Sequence, residues 1–212
     1  MEFRYIALEG PPCCGKTLLA ERLASRLDAM LVLEDRDNPF LADFHAGRIG
    51  AALQSQLFFL LSRHKQQVEL RQGQLFQATV SDVLFDRDKI HAYLNLDDNE
   101  LFIYQRLFDL LQADVPTPDL VIYLQTPTDT LLRRLKQRRS IADGGVSMPT
   151  ADDLRELNEA YQHYFFHYAS TPLLVVEMSA LDGEPSAEDI EDLLRQISQM
   201  GPGTQYYVPR TS

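Results

Sequence analysis

The sequence has no apolar run of eighteen or more residues and no N-terminal apolar core of the kind an export signal needs. The reading is therefore a protein that neither spans a membrane nor is exported. Positive charge is scarce. Twenty Lys and Arg stand against 31 Asp and Glu, a formal net charge of -11. Nucleic acid or an anionic membrane as the main partner would need a basic footprint, so both are set aside. Cysteine is nearly absent: the only two are the neighbours Cys13 and Cys14. Adjacent cysteines in a turn rarely bridge, and reduced thiols point to the cytoplasm. Repeats, low-complexity tracts and long linkers are also missing. What remains is 212 residues with 45% hydrophobic content, enough to bury one sizeable core. A single domain over 1–212 is expected, ending in a polar tail at 200–212.

The most informative stretch is Gly10-Pro11-Pro12-Cys13-Cys14-Gly15-Lys16-Thr17, preceded by the apolar Tyr5-Ile6-Ala7-Leu8 and followed by Leu18-Leu19-Ala20. Read as strand, loop and helix, it is G-x-x-x-x-G-K-[ST] in the setting that motif requires. Backbone N–H groups of such a turn and the positive end of the helix converge on phosphate oxygens. Lys16 adds a point charge for the β- and γ-phosphates, and the Thr17 hydroxyl a ligand for Mg²⁺.

Short, nearly continuous apolar runs at 3–8, 30–33, 75–80, 120–124 and 173–178 read as strands covered on both faces. Helical patterns lie between them: 18–27, 51–72 closed by Gly73, 99–113, and an arginine-rich stretch at 128–139. Thr150 with Asp153 and Ser186 with Asp189 form capping-box starts for two more, and Asp97-Asp98 reads as a helix cap. Alternating strands and helices give an α/β protein with a parallel sheet and right-handed crossovers.

Ligands of such sheets sit at the carboxyl ends of the strands. That rule selects Glu34 and Asp35 after the second strand, and Ser81 and Asp82 after the third. A carboxylate there can hold Mg²⁺ or take a proton from an acceptor hydroxyl. After the fourth strand, Arg133, Arg134, Lys136, Arg138 and Arg139 precede a small-residue segment suited to a flap. Arg134 and Arg138 share a helix face at i, i+4. Arginines on a flap stabilise charge spread over a transferred phosphoryl group.

In order, EGPPCCGKT, LVLEDRDNPFL, LQSQLFFLLSR and TVSDVLFDRDKIHAYL, then an arginine-rich lid, resemble the deoxynucleoside kinases, most of all their bacterial deoxyadenosine/deoxyguanosine branch. The likeness runs from about Arg4 to the Tyr206-Tyr207-Val208-Pro209 tail. It implies a three-layer P-loop kinase fold, a five-stranded parallel sheet with helices on both faces, a short lid at about 138–149, and a homodimer formed through long apolar helices such as that around 58–61. The implied reaction is ATP-dependent phosphorylation of a deoxyribonucleoside at its 5′-hydroxyl, a salvage step, with Mg²⁺. The base is a purine, or else deoxycytidine's.

By the same resemblance, Glu34 accepts the hydroxyl proton and Gln54 reads the base edge, an amide offering donor and acceptor together. Leu57 walls the base. Arg134 and Arg138 serve the phosphates, and Asp143 matches the lid acid that meets the sugar, one methylene shorter than the usual Glu. The chain also departs from the family pattern. Cys13 stands where Gly or Ala is usual. The Glu-Arg-Ser motif after the third strand is replaced by Ser81-Asp82, leaving Asp82 for Mg²⁺ and Arg87 as the stand-in guanidinium. His91 occupies the place of a base-stacking aromatic, His45 that of a sugar-binding tyrosine, and Ser140 that of a lid arginine. The loop 182–185 is expected to line the donor base. Two alternatives stand beside this reading: a nucleoside monophosphate kinase and a diverged, non-catalytic nucleotide-binding module. The four acids Glu34, Asp35, Asp37 and Asp43 around Arg36 would repel an anionic acceptor, and a mere binder has no need of a base.

Overall fold

Fifteen residues into the chain a Gly-rich turn converts β1 (Tyr5–Glu9) into α1 (Lys16–Leu27), and the remaining elements follow from there. They are β2 (Met30–Val32), α2 (Leu41–His45), α3 (Ala51–Gly73), β3 (Thr79–Ser81), α4 (Arg87–Asn95) and α5 (Asp98–Leu111) with one 3₁₀ turn. Then come β4 (Leu120–Gln125), α6 (Thr128–Ile141), α7 (Ala151–Phe166), β5 (Leu173–Glu177), α8 (Ala187–Ser198) and β6 (Thr204–Tyr207). The computed structural model describes residues 3–35, 37–73, 78–141, 149–179 and 185–209.

Two compact units emerge. One comprises Met1–Leu33, Gln77–Leu84 and Thr117–Ser212; the other, Glu34–Phe76 and Phe85–Pro116.

The first unit carries the whole sheet, all parallel, in the order β2-β3-β1-β4-β5-β6. Central β1 is flanked on both edges, with Ile6 opposite Val80 on one side and Leu120 on the other. Its five residues are all buried, which is why Tyr-Ile-Ala-Leu reads as an unbroken apolar run. Strand order reverses at β1, so the crevice beyond its carboxyl end is where a ligand is expected, and the Gly-rich turn begins there. Leu19 and Leu23 of α1, Ile122 and Leu124 of β4, and Leu131 of α6 close the core beneath. Each such side chain contributes about 1.5–3 kcal/mol by leaving water. The capping boxes expected at Thr150 and Ser186 are both formed, as is a third at Asp97 with Glu100.

The sheet has six strands where five were expected. The sixth lies in the segment read as a polar tail: Tyr206 and Tyr207 favour extended backbone, and Thr204–Tyr207 pairs with Leu173–Val176. The Tyr207 hydroxyl donates to Asp192 of α8 at 2.6 Å. Gly201, Pro202 and Gly203 form the turn before this strand, and they masked it in the sequence.

The second unit is helical. Along α3, Gln56, Leu60, Arg63, Gln67 and Leu70 are all buried. Their i, i+4, i+7, i+11, i+14 spacing is one helix face, and three of its five members are polar. Leu60 packs with Phe85, Ala92, Tyr104 and Phe108, the Phe85 and Phe108 rings lying 4.8 Å apart. Short α2 and α4 carry no strong periodic signal and were not foreseen.

Candidate active site

The Gly-rich turn of the first unit has the geometry of an anion cradle. Gly15 sits at the N-cap of α1 with φ 103°, no side chain hydrogen-bonds there, and the first turn carries no acid. The leading N–H groups are therefore left for a ligand, at the positive end of the helix. At Gly10 a Cβ would meet Leu124 O and Cys14 Sγ, each at 2.9 Å, so only glycine lets the chain pass. Pro11 and Cys14 are buried, Pro12 and Cys13 half-buried. Cys13 adopts φ 68°, a left-handed conformation that side chains with a Cβ avoid. Burial pushes the Cys14 thiol pKa up.

Lys16 folds its ammonium over the loop, donating to Gly10 O and, at 3.5 Å, to Pro11 O. Beneath it lies Glu9, a fully buried carboxylate that the sequence reading passed over as part of a strand. Glu9 Oε1 accepts from Gly10 N–H at 2.8 Å and from the Tyr161 hydroxyl at 3.3 Å, and stands 3.6 Å from Lys16 Nζ. Its Oε2 accepts from Leu84 N–H at 3.3 Å. The loop is thus tied to β1, to the turn after β3 and to α7.

Thr17 Oγ1 donates to Asp82 Oδ2 at 2.7 Å, and Asp82 is 1% exposed. A hydroxyl and a carboxylate at the foot of a phosphate loop suit Mg²⁺, which binds through one or two protein oxygens and substrate phosphates rather than a protein cage. Among the described residues no group of three or more His, Cys, Asp or Glu able to hold a metal occurs. Arg134 donates to Cys13 O and Cys14 O at 3.3 and 3.2 Å, reaching the loop's backbone from α6. Arg138 is exposed. Asp143, Arg36, most of the lid and residues 182–184 of the donor-base loop lie outside the described residues.

The second unit holds a separate cluster. Glu34, its side chain 11% exposed, is gripped at Oε1 by Arg63 Nη2 at 2.8 Å and by Arg87 Nη1 at 2.6 Å. Arg63 also pairs with Asp88, and burial raises the Asp88 carboxyl above the ordinary carboxylate range. Two carboxylates and two guanidiniums balance, as charges removed from water must. Asn38 pins the Glu34 segment to α3, its amide donating to Ser55 O and Oγ at 3.1 and 3.0 Å. Arg87 Nε donates to His91 Nε2 at 3.4 Å. Buried Tyr104 has its pKa raised by burial and by the charge of Asp88.

Of the expected residues, Glu34, Arg87 and His91 come together here, and half-buried Leu57 packs on the Leu60 cluster. Two others stand apart. His45 is exposed at the end of α2, its ring 5.3 Å from that of Phe44. Gln54 points to the exposed side of α3, whereas Gln56 is buried with an amide oxygen that no hydrogen bond reaches. Asp88 Oδ2 is likewise buried and unsatisfied. Buried polar atoms without partners are costly in a finished fold and natural in a binding site awaiting its ligand. Arg63, Asp88 and Gln56 were missed in the sequence. The available signal was the polar share of α3's buried stripe.

A parallel sheet switching direction at a Gly-Lys-Thr turn, with a hydroxyl and a carboxylate beneath it, has the architecture of a P-loop phosphotransferase. Comparison with known proteins gives the family. The deoxynucleoside kinase profile matches residues 6–200, and the chain belongs to the deoxynucleoside kinase family. It is 32% identical over 140 residues, 63% of this chain and 66% of the other, to the deoxyguanosine kinase of Bacillus subtilis (strain 168). It is 30% identical to the deoxyadenosine kinase of Dictyostelium discoideum, over 100% of this chain and 89% of that one. Among solved structures, deoxyadenosine kinase from M. mycoides with bound dCTP shares the fold, with a TM-score of 0.71 at 21% identity, covering 92% of this chain and 98% of that chain. The protein is thus a kinase of nucleosides.

Proposed function

We propose that the protein transfers the terminal phosphoryl group of ATP to the 5′-hydroxyl of a deoxyribonucleoside, purine by preference, releasing the 5′-monophosphate and ADP in nucleotide salvage. The observation that carries this reading is Glu34 at the centre of a balanced arginine–carboxylate cluster. A carboxylate so held has a fixed direction and can take the hydroxyl proton as the oxygen attacks phosphorus. The Gly10–Thr17 backbone binds the phosphates, and Mg²⁺ is held through Thr17 and Asp82. Lys16 leaves Gly10 O for the β- and γ-oxygens, and Arg138, with Asp143 on the lid, completes the site. Relatives named deoxyguanosine and deoxyadenosine kinase support a purine acceptor. Gln56 and Asp88, each with a buried open acceptor, could take an amino or ring N–H donor from a base. Gln56 takes the base-reading role that the sequence assigns to Gln54.

Positioning and charge outweigh proton abstraction in this chemistry, where a general base gives about 10²–10⁴-fold. Lys16→Ala is therefore expected to lower turnover at least as much as Glu34→Gln. ADP release, coupled to a spectrophotometric readout, should follow addition of deoxynucleosides and not of their monophosphates. A Glu34→Gln enzyme with near-normal turnover would refute its role as base, and turnover on monophosphates alone would favour a nucleoside monophosphate kinase.

We further assign the protein to the cytoplasm and to a homodimer. No described helix is long and apolar enough to cross a membrane. The dimer reading rests on the exposed Leu61 of α3 and the exposed Phe102, Ile103 and Leu110 of α5.

A further inference from the structure

The acceptor cluster contains one group that the reaction as described leaves unused. His91 lies one helical turn beyond Arg87 on α4, half-buried, and its Nε2 is 3.4 Å from Arg87 Nε. We propose that His91 is a positioning residue: its neutral imidazole accepts the Nε–H of Arg87 and so aims the opposite edge of that guanidinium at Glu34. The inference rests on Glu34 being the acceptor of the hydroxyl proton.

The geometry follows from the planarity of arginine. A guanidinium presents its donors in a rigid fork, so fixing Nε fixes where the Nη atoms point. Here Nη1 comes to 2.6 Å from Glu34 Oε1. Without an acceptor on the Nε side, the Arg87 guanidinium loses one of the contacts that fix its direction towards Glu34. An aromatic hydrocarbon at position 91 could stack on a base but could not make this bond.

The contact also dictates a protonation state. Nε2 accepts only when it carries no proton, which places the ring proton on Nδ1. A second proton would set N–H against N–H and cation against cation. The surroundings oppose it as well. Arg63 from α3, Arg87 and Asp88 from α4, and Glu34 from the segment after β2 already sum to zero charge, and an imidazolium would leave the group with a net positive charge. Histidine changes charge between about pH 5 and 8. Acidification through that range therefore releases Arg87 from His91 and loosens Glu34, which places an acid limb on the turnover profile that belongs to His91.

The test compares wild type with His91→Gln and His91→Phe. Gln supplies an acceptor that does not titrate; Phe keeps the ring and removes the acceptor. At neutral pH, His91→Phe should lose about 5- to 10-fold in kcat, the worth of one hydrogen bond, with KM for ATP unchanged, and His91→Gln, which restores the acceptor, should recover part of that loss. The fall in turnover between about pH 5 and 8 should vanish in both variants, leaving only the limb at lower pH that a carboxylate base gives. In parallel, the ¹⁵N resonance of Arg87 Nε should shift with a histidine-like midpoint in wild type and stay still in His91→Phe. Wild-type kcat in His91→Phe, an unaltered acid limb in His91→Gln, or an Arg87 resonance indifferent to pH would each overturn the proposal. Should Glu34→Gln turn over normally, the base assignment falls, and the Arg87 resonance alone then decides whether His91 holds the guanidinium.

Discussion

Thr17 and Asp82, 65 positions apart in the chain, share a 2.7 Å hydrogen bond at the foot of the phosphate loop. Asp82 belongs to the Ser81-Asp82 pair that stands in place of the Glu-Arg-Ser motif after β3, and in the proposed reaction it and Thr17 would hold the cation. Asp82→Asn keeps the shape and removes the charge. Its Mg²⁺ requirement, read by titrating the metal at fixed ATP, should rise by about 10- to 100-fold, the usual cost of losing an orienting or ligating group. An unchanged Mg²⁺ titration would remove Asp82 from the metal site.

The two glutamines of α3 should behave differently. Gln56→Ala is expected to raise the KM for the preferred deoxynucleoside by about tenfold or more, because a buried amide with an open acceptor loses its partner. Gln54→Ala should change it by less than about twofold, since substitutions at exposed sites rarely matter much. Steady-state kinetics on both variants checks the assignment, and the reverse order of effects would restore Gln54.

Cys13 and Cys14 should react unequally with a maleimide. Cys14 is buried, and burial keeps its thiol protonated. Cys13, half-buried at the loop, should take the label, and ATP should slow the labelling; peptide mass spectrometry reads both. The positive φ of Cys13 gives a second expectation. Cys13→Gly should relieve strain of about 1 kcal/mol, so its Tm should match or exceed that of wild type. A marked fall in Tm would show that the thiol, not the backbone, matters there.

Exposed Phe102, Ile103 and Leu110 project from one amphipathic helix, with Leu61 exposed on α3 of the same unit. Sedimentation of wild type should give a dimer, and Phe102→Glu should shift the population towards monomer at micromolar concentration with little loss of stability. A monomeric wild type would end the dimer reading.

Legibility from sequence tracked the distance over which chemistry is assembled. The phosphate loop was readable because its parts are consecutive: Gly10, Gly15, Lys16 and Thr17 need only one turn of chain. Glu34 and Asp82 followed from the rule for strand ends. The two α3 glutamines were harder, since residues two apart point about 200° apart around a helix, and choosing between them needs the phase of the buried face. That phase was present in Gln56, Leu60, Arg63 and Gln67, but the run 57–61 is apolar all round and obscures it. The bond of Arg63 to Asp88, 25 residues on, has no local signature at all. Nor does the role of Glu9, which looks like the last residue of a strand until Gly10, Leu84 and Tyr161 are seen donating to it. β6 was lost because Gly and Pro before it read as an ending.

The residues of the proposed acceptor and donor chemistry belong to different structural units: Glu34, Gln56, Arg63, Arg87, Asp88 and His91 to one, the Gly-rich turn, Lys16, Thr17 and Asp82 to the other. Such a partition insulates one half of the chemistry from drift in the other. On the proposed reading, an exchange at 56 would retune which base is accepted while the phosphate loop keeps its own core, hydrogen bonds and glycine constraints. Lineages descending from one ancestor could therefore diverge in diet without reinventing the engine.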